Sequence, residues 1–178
     1  MNWDKISNFS GIKDITTLSG ANIISTVIGG VFWFYIASLM GEEGYGEISY
    51  FLSIASIGAG ITMLGASNTL VVYTAKGEKI LPIISFITLT LSAIAAFIIL
   101  IIFLNIGISL YLFTYVIFGL ITSELLGKKL YKLYSKYVII QKILMVIFSI
   151  LLFYAIGNDG VLIGMSFSFL FLAIPLYN

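Results

Sequence analysis

The sequence predicts an all-α membrane protein, a polytopic transmembrane bundle of six helices. Three observations support this fold class: 60% of the 178 residues are hydrophobic, only 10% are charged, and the mean hydropathy is +1.12. Soluble domains carry about 25% charged residues, so this chain has too little polar surface to cover a folded domain in water. In lipid this shortage carries no penalty, because the surrounding solvent is itself apolar.

Apolar runs recur along the whole chain, and a spanning helix needs about 20 apolar residues at a rise of about 1.5 Å each. We predict a single transmembrane bundle over residues 1–178, with spans at about 15–40, 48–74, 80–104, 108–126, 138–156 and 161–178. Only residues 105–107 separate the third span from the fourth. One helix through both would be longer than any bilayer is thick, so we expect a tight turn there.

The charged residues between the predicted spans are sorted by sign. With six spans, all nine lysines fall on one side of the membrane: Lys5, Lys13, Lys76, Lys79, Lys128, Lys129, Lys132, Lys136 and Lys142. The other side carries only acidic residues: Glu42, Glu43, Glu47 and Asp159. Because cytoplasmic loops are enriched in lysine and arginine, we predict a multi-pass protein of the cell membrane with a cytoplasmic N-terminus. An odd number of spans would mix the two sets of charges.

Small or short polar residues recur four positions apart in most of the predicted helices, which places each set on one helical face. Two such stripes lie side by side in the first span: Ala21, Ser25 and Gly29, and Asn22, Thr26 and Gly30. Short side chains let a neighbouring helix approach closely, so we favour helix packing as the role of each stripe. The face with Asn22 and Thr26 is the best candidate to line a polar cavity, because it adds amide and hydroxyl groups.

Two other polar residues inside predicted spans are candidates for a substrate cavity. Glu124 could mark an ion pathway, since a charge at mid-bilayer costs about 2.5–3.5 kcal/mol. It lies four residues before Lys128, however, a spacing that suits an ion pair, and we favour that structural role. Asn68 lies in a polar interruption of the second span. Broken helices at such depth often form transport sites, but an interhelical hydrogen bond explains Asn68 equally well.

A basic and aromatic segment lies between the fourth and fifth predicted spans. Its candidates for contact with lipid head groups are Lys128, Lys129, Lys132 and Lys136. We expect this segment to lie along the inner membrane surface, with its tyrosines at the boundary of the lipid. The lysines could bind an anionic lipid-linked substrate or act only as a topology determinant, and we favour the second role.

The composition excludes several classes of chemistry. The chain contains neither cysteine nor histidine, so the usual ligands of metal sites and the usual general base are missing. The sequence shows no phosphate loop, nucleophile triad or pair of catalytic carboxylates. We therefore predict no enzyme, no metal and no cofactor. A net charge of +1 argues against a nucleic-acid partner, and membrane lipids are the expected surroundings.

The segment after the first predicted span has a distinctive sequence, because residues 39–46 are LMGEEGYG. It resembles a short loop of the oligosaccharide flippases of the polysaccharide biosynthesis family, within the multidrug/oligosaccharidyl-lipid/polysaccharide exporter superfamily. In that loop a leucine–glycine pair is followed by acidic residues, an aromatic residue and a second glycine. Gly41, Glu43, Tyr45 and Gly46 match, whereas Glu42 stands where proline is common and Gly44 where an acid is common. The sequences LGASNTL at residues 64–70 and AK at 75–76 are also similar to the family.

The resemblance implies the N-terminal lobe of a transporter built from two similar bundles, which moves a lipid-linked oligosaccharide across the membrane by alternating access. The implied partners are this substrate and a second helical bundle, either a missing C-terminal half or another copy of the chain. Basic residues are expected in the cavity of such a flippase, yet we expect no lysine in the middle of a span here. The chain also stops inside an apolar run at residues 175–178, so we expect it to be truncated.

Two other functions remain open. One is a drug or cation antiporter lobe of the same superfamily, which would need an acidic residue in its cavity. The other is a membrane scaffold subunit that transports nothing. Convergence of Asn22, Thr26 and Asn68 on one groove would favour a transporter, whereas burial of all three in dry contacts would favour the scaffold.

Overall fold

The computed structural model describes the backbone of residues 9–173 and the side chains of residues 14–173. This part of the chain forms six helices: α1 (Phe9–Met63), α2 (Ala66–Ala75), α3 (Leu81–Phe103), α4 (Ile106–Gly127), α5 (Tyr131–Ile156) and α6 (Asn158–Ala173). The predicted all-α bundle of six helices is confirmed. Helices α1, α3, α4 and α5 are long and apolar enough to cross a membrane, and α6 is a shorter apolar helix.

Helix α1 includes the first predicted span and most of the second, because its axis reverses at Gly41. This residue has φ 70° and ψ −179°, a conformation in the left-handed region that glycine adopts without steric cost. The rings of Trp33 and Tyr45, on either side of it, have centroids 5.9 Å apart. In a straight helix the two residues would be separated by about 18 Å along the axis. The reversal expected after the first span therefore takes place almost entirely at one residue.

The two halves of α1 run in opposite directions along the bundle. Residues 14–40 run parallel to α5: the Ser135 hydroxyl donates to the carbonyl of Thr17 at 3.3 Å, and the hydroxyls of Tyr35 and Tyr154 are 3.3 Å apart. Residues 42–63 run parallel to α4 instead, since Gly58 lies against Leu112 and Gly119 lies against Met63. Together the halves form a helical hairpin that covers one side of α4 and α5.

The second predicted span, at 48–74, is two helices rather than one. Helix α1 ends at Met63, Leu64 and Gly65 have φ values of 31° and 80°, and α2 begins at Ala66. Ten residues of α2 measure about 15 Å, which is half of the roughly 30 Å hydrocarbon core of a bilayer. The break therefore lies near the middle of the membrane.

The tight turn expected between the third and fourth spans is present, but it is centred at residues 104–105. Leu104 has φ 50° and ends α3, and Asn105 caps α4 by accepting a hydrogen bond from the Ile108 amide at 3.2 Å. Helix α5 begins at Tyr131, seven residues before the predicted span at 138–156. Helix α6 begins at Asn158, and the last residues of the predicted sixth span, 174–178, lie outside the described residues.

Helix α6 lies between α4 and α5 and packs closely against both of them. Its contact with α5 is formed by a stripe of small buried residues, Gly160, Gly164 and Ser168. A Cβ atom on Gly164 would lie 2.5 Å from the backbone of Ser149, and one on Gly160 would clash with the carbonyl of Leu152. The small residues therefore pack the two backbones together, as their spacing predicts.

The helix ends form two groups of opposite charge. Among the residues whose side chains are described, the lysine end holds six exposed cations: Lys76, Lys79, Lys128, Lys129, Lys132 and Lys136. These belong together because Gly127, at the end of α4, packs against Thr74 near the end of α2. The acidic end holds Glu42, Glu43, Glu47 and Asp159. Here the Asn105 amide donates to the Asp159 carboxylate at 3.1 Å, which joins the start of α4 to the start of α6.

Candidate functional site

A cavity of about 310 Å³ lies between α1, α4, α5 and α6. We call it the aromatic cavity. It is lined by Trp33, Tyr111, Tyr115, Phe118, Gly119, Thr122, Tyr134, Val138, Gln141, Lys142, Met145, Met165 and Phe169. The lining residues of α4 follow a helical spacing of three and four, which places them on one face. The cavity therefore extends along α4 for about 16 Å, the length of the helix from Tyr111 to Thr122.

One cation, Lys142, lines this cavity near the middle of α5. It lies about 16 Å from the start of α5 at a rise of about 1.5 Å per residue, and its side chain is partly buried. The expectation that no lysine occupies the middle of a span is therefore wrong. Position 142 already lies inside the predicted span of 138–156, although its lysine was grouped with the connecting segment. Because α5 begins seven residues before that span, Lys142 is an interior residue of the helix.

The cavity wall opposite α5 is a cluster of aromatic rings from α4 and α6. The rings of Tyr111 and Tyr115 are stacked, with centroids 5.9 Å apart and planes at 17°. Phe169 contacts both of them edge-on, at 5.7 and 5.6 Å, and lies 5.3 Å from Phe118. Edge-to-face and stacked pairs of this kind favour fixed ring orientations. The cavity thus presents a rigid apolar wall that also carries phenol groups.

Neutral hydrogen-bonding groups complete the lining. The Gln141 amide donates to the Ser168 hydroxyl at 3.1 Å, and Ser168 in turn donates to the carbonyl of Met165 at 2.6 Å. This chain of bonds fixes the buried Gln141 side chain between α5 and α6. The Thr122 hydroxyl donates to Phe118 at 2.9 Å within α4. No aspartate or glutamate is among the described residues that line the cavity, so Lys142 determines its charge.

The structure does not bring the three polar candidates of the sequence together. Asn22 and Thr26 are exposed on α1, where the Thr26 hydroxyl donates to the Asn22 carbonyl at 2.8 Å. Asn68 is exposed on α2. None of these residues is among those that line the aromatic cavity. The neighbouring stripe behaves differently, because Ala21 and Ser25 are buried and pack the first half of α1 into the bundle.

The charged candidates lie at the lysine end. Glu124 forms an ion pair with Lys128, with 2.6 Å between Oε1 and Nζ, and its side chain is only 12% exposed. This geometry agrees with the structural role favoured for Glu124. The four candidates for head-group contact, Lys128, Lys129, Lys132 and Lys136, are all exposed, as contact with lipid requires.

Sequence reasoning missed most of the residues that line the cavity. Tyr111, Tyr115 and Phe169 look like ordinary membrane residues, and nothing local shows that they face one another. The pair Gln141–Lys142 does indicate the cavity in the sequence, because two polar side chains in succession interrupt an apolar run. An amide and an ammonium group inside a spanning helix are costly in lipid and mark a polar interior.

Searches of protein-family models, curated proteins and solved structures found no significant match to this chain. Its function is therefore inferred from the shape, lining and charge of the aromatic cavity.

Proposed function

We propose that the chain is one lobe of a transporter that moves a lipid-linked oligosaccharide across the cell membrane for polysaccharide or glycan biosynthesis. The observation that carries the proposal is the position of Lys142, a cation in the interior of the spanning helix α5 that lines an aromatic cavity. An ionisable residue there is costly, and such residues usually face a cavity and mark a substrate pathway.

The lining suits the linkage between a lipid phosphate and a sugar. An ammonium group forms charge-assisted hydrogen bonds to phosphate oxygens, and no acid among the described lining residues competes for Lys142. Aromatic faces carry partial negative charge, which attracts the C–H groups on the apolar face of a sugar ring. The Tyr111 and Tyr115 phenols and the Gln141 amide can exchange hydrogen bonds with sugar hydroxyls.

The size of the cavity supports the view that the chain acts as a lobe. A volume of about 310 Å³ lies at the lower end of the range of about 300–1,000 Å³ for small-molecule sites. It has room for a pyrophosphate and about one sugar, so a longer glycan needs further surface. A second bundle, from a C-terminal half or another copy of the chain, would supply that surface.

The lining also distinguishes this proposal from the two alternatives. A scaffold subunit has no need of a lysine in a cavity beside a spanning helix, whereas a carrier of anionic substrates does. A drug or cation antiporter needs an acidic group in its cavity, and the described lining has none. Both observations support a carrier of anionic substrates.

We further propose that the lysine end faces the cytoplasm, in accordance with the positive-inside rule. In this orientation the exposed lysines at positions 128, 129, 132 and 136 contact anionic head groups of the inner leaflet. Residues 14–40 of α1 then run outward, with the N-terminus on the cytoplasmic side.

Trp33 offers a direct test, because it lines the cavity and Trp3 is the only other tryptophan. In a Trp3→Phe background, a short-chain polyprenyl-pyrophosphate oligosaccharide should quench Trp33 fluorescence in lipid nanodiscs with saturable binding. Replacing Lys142 with methionine should raise the Kd about 10- to 100-fold, since a hydrogen bond to a charged group contributes about 1.5–3 kcal/mol.

Lys79→Met is the matched control, because it removes the same charge from an exposed position outside the cavity. It should leave the Kd unchanged. Equal Kd values for Lys142→Met and the parent protein would contradict the assignment of Lys142, and an absence of quenching in the parent would contradict the proposed substrate.

A further inference from the structure

Gln141 is a buried amide in the wall of the aromatic cavity, and hydrogen bonds fix its orientation. Its side chain is 2% exposed, and it lies next to Lys142 among the lining residues from α5. The Ser168 hydroxyl donates its one proton to the carbonyl of Met165 at 2.6 Å, so it can only accept a hydrogen bond from Gln141. The group that donates to Ser168 at 3.1 Å must therefore be the amide nitrogen Nε2.

The carbonyl oxygen Oε1 of the same amide faces the cavity. No residue in the described part of the chain donates a hydrogen bond to Oε1. Among the described residues, the side-chain oxygen that is both fully enclosed and without a partner is Ser25 Oγ, so Oε1 of Gln141 is not fully enclosed. Because Gln141 is almost entirely buried and lines the aromatic cavity, the opening at Oε1 is the cavity itself. The amide thus presents a hydrogen-bond acceptor to a bound molecule.

We propose that Gln141 is a specificity-determining residue, which requires a hydrogen-bond donor at C2 of the sugar that is attached to the pyrophosphate. This inference rests on the proposed function, since it takes the Lys142 ammonium as the ligand of the phosphate. Successive residues of a helix are separated by about 1.5 Å along the axis and about 100° around it, so Oε1 lies beside the phosphate site. The ring carbon nearest to the phosphate-bearing C1 that carries a donor is C2, through a hydroxyl or an acylated amino group.

The fixed orientation of the amide makes this contact selective. When a sugar fills the cavity and displaces water, an acceptor that meets no donor is left unpaired, which is costly. The amide cannot turn its nitrogen toward the sugar without giving up the bond to Ser168. Sites built to hydrogen-bond a substrate strongly reject an analogue that lacks the bonding group. The cavity should therefore reject a sugar that has no donor at C2.

Three ligands test this inference on the full chain in lipid nanodiscs, with Trp33 fluorescence in the Trp3→Phe background as the readout. They are a short-chain polyprenyl pyrophosphate, its glucose conjugate and its 2-deoxyglucose conjugate. In the parent protein, the Kd of the glucose conjugate should be about 5- to 100-fold lower than that of the 2-deoxyglucose conjugate.

Gln141→Met removes the acceptor and keeps a flexible, unbranched side chain that can fill the same space. In this variant the Kd values of the two conjugates should lie within about twofold of each other, and the Kd of the polyprenyl pyrophosphate should be unchanged. Loss of a purely structural contact would instead change the Kd of all three ligands together. Asn22→Met is the matched control, because it removes an amide at an exposed position outside the cavity, and it should retain the preference of the parent.

Equal Kd values of the two conjugates in the parent protein would overturn the inference without any variant, and so would a full preference in Gln141→Met. If Gln141→Met fails to fold, Ser168→Ala gives a second test: it frees the amide to rotate and should lower the preference, and an unchanged preference would overturn the inference. Binding of the polyprenyl pyrophosphate without a preference between the conjugates would leave the proposed function intact. Absence of quenching by all three ligands would overturn the proposed function and this inference with it.

Discussion

Replacing Gly164 with leucine should lower the midpoint of thermal unfolding by about 10 °C or more, or prevent folding of the bundle. A Cβ atom at this position would lie 2.5 Å from the backbone nitrogen of Ser149 and 2.6 Å from the carbonyl carbon of Phe148. Backbone cannot move aside as a flexible side chain can, so α6 would have to separate from α5. Overpacking of a core costs about 1–3 kcal/mol even where side chains adjust, and each kcal/mol lowers the midpoint by about 2–4 °C.

Gly30 provides a matched control for this substitution, since a Cβ atom there meets no atom within 4 Å. Gly30→Leu should leave the midpoint unchanged or raise it slightly, because leucine favours helix more than glycine does. Detergent-purified protein and circular dichroism at the helical band suffice for the comparison. If the two variants melted at the same temperature, the close approach of α5 and α6 would be wrong.

Cysteines at the two ends of the bundle should react from opposite sides of the membrane. The chain contains no cysteine, so each variant carries a single reactive group. We expect Glu42→Cys, in the exposed acidic end, to be labelled by a membrane-impermeant maleimide added to intact cells. Lys132→Cys, in the exposed lysine end, should be labelled only after the membrane is permeabilised. In intact cells we expect full labelling of Glu42→Cys and no labelling of Lys132→Cys, since a charged reagent does not cross lipid.

Permeabilised cells serve as the control for this experiment, because both cysteines should react fully there. Labelling of Lys132→Cys in intact cells, with protection of Glu42→Cys, would invert the proposed orientation. Labelling of both from one side would contradict the arrangement of the two ends.

Hydropathy and charge predicted the helices well but their interruptions less well. The six apolar runs and the reversal at Gly41 follow from local sequence, because glycine and acidic residues separate two long apolar segments. The break at Leu64 and Gly65 was missed as a helix end, since hydropathy averages over about 20 residues and the flanking residues are apolar. The polar interruption around Asn68 was noticed, but its position within the fold needs the backbone.

The aromatic cavity was harder to predict from the sequence than the fold was. Candidates were sought among polar residues of the spans, and Asn22, Thr26 and Asn68 proved to be exposed on the outside of the described bundle. The cavity is formed mainly by aromatic residues far apart in sequence, such as Tyr111 and Phe169, which meet because α6 packs against α4. Lys142 was grouped with the lysines of the preceding segment even though position 142 lies inside the predicted span of 138–156, and its place in the cavity depends on how α5 packs against α4 and α6.

The proposed second bundle would explain why α1 has an exposed polar face at Asn22 and Thr26. Asn22 and Thr26 point away from the aromatic cavity of this lobe, and polar groups facing lipid are uncommon in membrane proteins. In the proposed two-lobed transporter they suit a surface that faces the second bundle, where polar side chains can form hydrogen bonds between helices.

The central claim is that water and substrate reach Lys142 inside the membrane. The most direct measurement compares Lys142→Cys with Ile143→Cys. Ile143 is the next residue in α5, and its side chain is 44% exposed on the outer surface of the bundle. In proteoliposomes, a charged methanethiosulfonate reagent should modify Lys142→Cys, since a thiol reacts as its thiolate in water, and should leave Ile143→Cys unmodified. A pyrophosphate-linked sugar, at a concentration above the raised Kd of this variant without the lysine, should slow the reaction at position 142. Equal reaction rates at the two positions, with no protection by the ligand, would contradict the account.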